Sequence, residues 1–155
     1  MAKYKMIIDT DPGVDDALAI AFAALHPEIE LLGLTTVYGN VSVDQATQNA
    51  GYLLGLLDQK QVPVAKGEAT PSVQTPHNFP DFVHGKNGFG DIDVAYPADF
   101  KPVDEHAADF IVRMINENPG EIILVPIGPL ANIGLALKKD PSIAHKVKQV
   151  VIMGG

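Results

Sequence analysis

Cysteine and tryptophan are both absent, and aromatic residues make up only 6% of the chain. Without thiols there is no disulfide and no thiolate metal site, a composition compatible with a reducing cytoplasm. Basic residues are scarce as well: 11 Lys and Arg stand against 19 Asp and Glu, a formal charge of −8. That balance argues against a nucleic-acid partner or an anionic membrane surface and leaves a neutral small molecule or a cation as the natural ligand. Long apolar runs are missing too. The longest, Ala17–Leu25, is too short to span a bilayer. The opening MAKYK leads straight into a strand-like run without the apolar region of an export signal. A cytoplasmic protein with no membrane attachment is therefore expected.

What the sequence does have is a sizeable apolar fraction, 46% of 155 residues, enough for the core of one domain. It also has a concentration of acid in Met6–Ile20, MIIDTDPGVDDALAI. Tyr4–Ile8 reads as a buried strand. Val14, Ala17, Leu18, Ala21, Phe22 and Leu25 recur at helical spacing. Between the two periods lie Asp9, Asp11, Asp15 and Asp16, with Pro12-Gly13 as the turn. Asp11 is expected to be the N-cap, with Pro12 at the first helical position, where its missing N–H costs nothing. Side chains on a helix lean toward its N-terminus, so Asp15 and Asp16 should tilt back toward the strand end and all four acids should converge.

Capping and the helix dipole account for Asp11 and one further acid. They do not account for four. Two carboxylates about 4 Å apart repel by roughly 4 kcal/mol at an effective dielectric of about 20, so a cation is expected between them. An all-oxygen, multi-carboxylate site suits a hard divalent ion, with calcium more tolerant of irregular geometry than magnesium. An EF-hand loop counted from Asp9 fails, because Ile20 occupies its twelfth position. A haloacid-dehalogenase-like phosphatase would need a phosphorylatable Asp9 and magnesium. It usually carries Thr or Val two residues after its second Asp, where this chain has Gly13.

Further along, Ile29–Thr36 reads as a second strand. Ser42 and Gln45 have capping-box spacing before a helix reaching about Leu57. Val62–Ala65 reads as a short third strand. Residues 67–102 are rich in Gly, Pro and Asp, and a loop of that length is usually functional or mobile. Asp104 is expected to cap a helix through Asn118, followed by strand Ile122–Val125, helix Leu130–Lys138 and strand Val147–Met153. Alternating strands and helices with near-continuous apolar strands predict an α/β fold. Its sheet should be open, mostly parallel and doubly wound (Rossmann-like), with helices on both faces. The fifth strand has no returning helix after it, so residues 1–155 are expected to be the N-terminal half of a single larger domain, truncated after that strand. In such sheets ligands bind beyond the carboxyl ends of the strands. Asn40, His84 and the main-chain carbonyl of Ile127 are the polar groups at those ends.

Other residues carry blander expectations. His26, His106 and His145 should be solvated or capping, and His77 shares the long loop with His84 but has less to recommend it. Gly85, Gly88 and Gly90 suit a hinge better than a phosphate cradle, because no G-x-x-x-x-G-K-S/T is present. Phe22, Phe110 and Met114 should be core residues by their spacing.

The run Asp9-Thr10-Asp11-Pro12-Gly13-Val14-Asp15-Asp16 resembles the N-terminal DxDPGxDD signature of the inosine–uridine-preferring nucleoside hydrolases. Thr35–Asn40 (TTVYGN), His84-Gly85, Leu124–Asn132 (LVPIGPLAN) and Val151–Gly155 (VIMGG) match further family motifs in the same order. The resemblance covers essentially the whole chain, although family members run to about twice this length. It implies hydrolysis of the N-glycosidic bond of ribonucleosides to ribose and free base, by a calcium-bound water, in purine and pyrimidine salvage. It implies Asp11 as metal-bound general base, Asp16 and the Ile127 carbonyl as further calcium ligands, and Asp15 and Asn40 as hydrogen-bonding partners of the ribose hydroxyls. His84 would belong to a loop that closes over the site, Asp9 would support the cluster, and the protein would be a homodimer or homotetramer. The loop departs from the family's His-Gly-Glu-Ser-Gly, reading His84-Gly85-Lys86-Asn87-Gly88. The family's second half, with a further metal-ligand aspartate and the groups that hold the leaving base, has no counterpart here. The expectation from another functional class is a non-catalytic module that binds calcium and ribose, or an inactive fragment.

Overall fold

The computed structural model describes residues 3–73, 75 and 78–154; His77, noted above, and Gly155 lie outside them. Five strands, β1 (Tyr4–Thr10), β2 (Ile29–Thr36), β3 (Val64–Lys66), β4 (Ile122–Pro126) and β5 (Gln149–Val150), form one sheet in the order β3-β2-β1-β4-β5. Every pairing is parallel. The helices are α1 (Val14–Leu25), α2 (Val43–Leu56), α3 (Asp81–His84), α4 (Ala107–Glu117), α5 (Ala131–Lys139) and α6 (Ile143–Lys146). The expected α/β architecture is present.

Side chains alternate across a strand, and the consecutive Ile7 and Ile8 therefore enter different cores. Ile7 packs with Phe110, Ile111 and Ile115 of α4, Ala136 of α5 and Ile143 of α6. Ile8 packs with Ile20 and Ala23 of α1 and Ala50, Leu53 and Leu54 of α2. Helices thus cover both faces, and central β1 is apolar on both sides from Met6 to Ile8, up to its last residues. There the character changes: Asp9, Thr10, Thr35 and Thr36 are all fully buried. The register sets Asp9 beside Thr35 on one neighbour and Pro126 on the other, and Thr10 beside Thr36. A row of polar side chains therefore ends two adjacent strands, β1 and β2, at one level.

Several local expectations need correcting. The inward face of α1 carries Asp16, Ile20 and Ala23, whereas Val14, Leu18, Phe22 and Leu25, offered above as the core stripe, are 48–73% exposed. Apart from two aspartates this helix is apolar all round, so periodicity could not choose its face. The N-cap of α1 is Gly13, not Asp11, and that of α4 is His106, not Asp104. His106 Nδ1 accepts from the Ala108 N–H at 3.2 Å, the capping role foreseen for it. Ser42 caps α2 by accepting from the Gln45 N–H, but the Gln45 side chain turns to Asn49 and Tyr96 and leaves the box half-formed. The fifth strand is only two residues long. Its parallel bonding nevertheless continues through the Val151 and Met153 N–H groups, which donate to Leu124 and Pro126 carbonyls. Phe110 is core and Met114 packs against it, as expected. Among the described residues no helix is long and apolar enough to cross a membrane.

Candidate active site

Three of the four aspartates come together, and the helix start explains which. With Gly13 as N-cap, Asp15 and Asp16 occupy the second and third helical positions, about 100° apart around the axis. Asp16 points back to the strand end and is buried, while the Asp15 side chain is 66% exposed and stands outside the cluster. Asp16 Oδ1 accepts from Thr10 Oγ1 at 2.7 Å. Its Oδ2 accepts from the Gly13 N–H at 3.2 Å and from Asn40 Nδ2 at 3.0 Å. The same carboxylate therefore caps its own helix and reaches β1. Burial pushes its pKa upward against those hydrogen bonds.

Asp11 lies between two loops. Its Oδ2 accepts from the Asn40 N–H at 2.6 Å, and its Oδ1 has no partner. Gly39 and Gly128 grip the carboxylate from either side: a β-carbon on Gly128 would sit 2.6 Å from Oδ1, and one on Gly39 would overlap Oδ2. Burial, then the neighbouring Asp16, pushes the Asp11 pKa up to about 8. Asp9 is the most enclosed of the three. Its Oδ1 accepts from Thr35 Oγ1 at 2.5 Å and Asn132 Nδ2 at 2.8 Å, while Oδ2 has no partner. Burial raises its pKa to about 7 despite those two donors.

The remaining expected residues border this cluster. Asn40 bridges Asp11 and Asp16, with Nδ2 donating to the Asp11 carbonyl at 3.3 Å as well as to Asp16. Ile127 is placed by its main chain: its N–H and that of Gly128 both donate to the Asp9 carbonyl, at 2.8 and 3.2 Å. His84 ends α3 and lies over the start of α1. Its Nδ1 accepts from the Val14 N–H at 3.3 Å and lies 3.8 Å from Asp15 Oδ1. A cleft of about 450 Å³ opens beside these groups, lined by Asp11, Asn40, Gly128, Pro129 and Ile152 among others. A more enclosed cavity of about 430 Å³ lies between Leu54, Val62 and Phe100 beside the start of β3, and it borders no carboxylate cluster.

Two buried asparagines organise the site without having been singled out. Asn132, in the second position of α5, ties Asp9 to the Thr36 carbonyl and to the Glu68 N–H. Asn49, inside α2, donates to the Pro12 and Asn87 carbonyls and accepts from Gln45 and Tyr96, joining the DPG turn to the long loop. Gly88 fits against that amide with a left-handed φ of +85°. Each asparagine interrupts a mostly apolar helix face, a signal readable in advance but one that names no partner.

The donor set bears on a metal. Among the described residues no three His, Cys, Asp or Glu side chains are grouped so as to hold an ion by themselves. Yet two buried carboxylate oxygens, Asp9 Oδ2 and Asp11 Oδ1, lack any protein partner, and an all-oxygen cluster of this kind suits a hard cation. The side chains present fit part of such a site.

The family model for inosine-uridine preferring nucleoside hydrolases matches residues 6–155. Uridine nucleosidase 1 of Arabidopsis thaliana is 48% identical over 151 residues, 97% of this chain and 45% of its own length. A solved plant nucleoside hydrolase superposes with a TM-score of 0.91 at 45% identity, over 99% of this chain and 48% of that one. The purine-preferring ribonucleoside hydrolase of Gardnerella vaginalis gives 0.93 at 40% identity, over 97% and 48%. The chain thus spans about half the length of the relatives it matches. Sequence, fold and the buried acid cluster all lead to one assignment: the chain belongs to the inosine-uridine preferring nucleoside hydrolase family.

Proposed function

We propose that this chain supplies the carboxylate side of a site that hydrolyses the N-glycosidic bond of ribonucleosides to ribose and free base. The observation that carries the reading is the buried Asp9–Asp11–Asp16 cluster at the strand ends, with two of its oxygens unpartnered. The names of the relatives support the reaction class. Asp11 and Asp16, with the Ile127 carbonyl, would hold calcium. Calcium bound there would supply positive charge to hold ribose hydroxyls and would lower the pKa of a water.

Asp11 Oδ1 is the oxygen that takes the proton from the attacking water, its partner Oδ2 being held by the Asn40 N–H. Cleavage passes through an oxocarbenium-like ribosyl centre, and three carboxylates in a low-dielectric pocket stabilise the charge that develops there. Asp15, exposed at the rim, and Asn40 hydrogen-bond the ribose hydroxyls. A sugar lacking one of them forfeits a hydrogen bond to these groups, which disfavours deoxynucleosides. His84, over the first turn of α1, closes the entrance from the loop. The reading carries with it a cytoplasmic role in nucleoside salvage and a homodimeric or homotetrameric assembly.

A second reading, a calcium- and ribose-binding module without turnover, is favoured by the incomplete ligand set among the described residues. One experiment separates the two: free base released from uridine and inosine by the purified chain with calcium, alongside calorimetric titration of calcium and ribose. Base release supports the hydrolase. Binding of both ligands without release leaves the module, and no calcium binding rejects both.

A further inference from the structure

We infer that Asn132 is a positioning residue for the carboxylate cluster: it fixes the orientation of the Asp9 carboxylate, leaving one oxygen bare, and locks together the carboxyl ends of the first three strands. The inference rests on the metal-binding reading above and deepens it. Asn132 is fully buried, and each polar atom of its amide is spoken for. Nδ2 donates to Asp9 Oδ1 at 2.8 Å, at the end of β1, and to the Thr36 carbonyl at 2.9 Å, at the end of β2. Oδ1 accepts at 2.9 Å from the Glu68 N–H, just beyond β3.

The amide can sit only this way round. The Thr36 carbonyl can only accept and the Glu68 main-chain N–H can only donate, so Nδ2 must face the first and Oδ1 the second. Neither Asp nor Leu carries both functions in that shape, and Gly67 makes the room, since a β-carbon there would collide with the Asn132 side chain. Because Thr35 and Asn132 both donate to one oxygen, the Asp9 carboxylate cannot tilt out of its present plane without losing two hydrogen bonds. The second oxygen is thereby held bare at a fixed place in the cluster. Partners that orient the groups of a metal site are typically worth about 10- to 100-fold in metal affinity.

The test is calorimetric calcium titration of the unmodified chain, Asn132→Asp, Asn132→Ser and Thr47→Val, each checked for folding by circular dichroism. Asn132→Asp keeps an acceptor for the Glu68 N–H but loses both donors. Thr47→Val removes a buried hydrogen bond to Thr36 without touching Asp9. The Asn132 variants should bind calcium at least about tenfold more weakly, and Thr47→Val should stay within about twofold. A folded Asn132 variant with unmodified affinity overturns the inference. Should the variants fail to fold, the Asn132 side-chain NH₂ resonances of the unmodified chain decide: they should shift in step with calcium saturation, and resonances that stay fixed overturn it. An unmodified chain that takes up no calcium removes the metal reading and this role together, an outcome distinct from binding that ignores Asn132.

Discussion

At the scale of single residues, three buried aspartates share one feature: their ionised forms are disfavoured where they stand. Asp9 and Asp11 are raised to about 7 and about 8 from an ordinary value of 3.8, chiefly by burial. The sign follows from linkage. Between those limits the folded chain retains protons that the unfolded chain has released, so stability falls as pH rises. In chelator, the urea midpoint should therefore be higher at pH 5 than at pH 8. Calcium should narrow the gap, because a cation favours the ionised carboxylates. A midpoint that rises over this range in chelator would contradict the burial seen here. Asp11→Asn, which removes the proton acceptor of the proposed mechanism, should lower base release by about 10²-fold or more. Circular dichroism should show the fold retained. The acids themselves were legible from their spacing. Which three converge was not, because that depended on whether the first helix begins at Asp11 or Gly13.

At the scale of elements, α1 is the instructive case. Its composition is so uniformly apolar that any face could have been the buried one, and the chain turned Ile20 and Ala23 inward by turning Asp16 toward the strand ends. The expected consequence is an asymmetry in truncation. Ile20→Ala should cost about 2–4 kcal/mol in urea denaturation. Phe22→Ala, a larger deletion by volume, should cost under about 1 kcal/mol, since Phe22 is mostly exposed. Equal costs would mean that the other face is the packed one. The strands were easier to read. Ile29–Thr36 coincides with its expected span: apart from Glu30, exposed near its start, the strand is apolar up to the buried Thr35 and Thr36. The fifth was overestimated, since Val147–Met153 is apolar enough for a strand while only Gln149–Val150 pairs fully.

At the scale of the whole molecule, the parallel order β3-β2-β1-β4-β5 brings four strand ends and their following loops to one edge, where the polar rows of β1 and β2 meet α1 and α5. A ligand that binds only the folded arrangement stabilises it by mass action. Calcium at about 100 times its dissociation constant should add about 2.7 kcal/mol to unfolding. Thermal denaturation with and without the ion measures this, and an unchanged midpoint at saturating calcium would remove the cation from the reading.

The sequence by itself determined the α/β class, the parallel sheet, the placing of acids at the end of the first strand and the family. These depend on residue type and short-range period, which the chain carries explicitly. Only the tertiary structure decided that Asp15 faces outward, that α1 buries its Ile20 side, and that His106 rather than Asp104 caps α4. It alone revealed that Asn132 holds Asp9 across 123 residues of chain. The reason is physical. A buried amide is placed by whichever acceptors and donors the fold brings within about 3 Å, and no local spacing encodes a partner that distant.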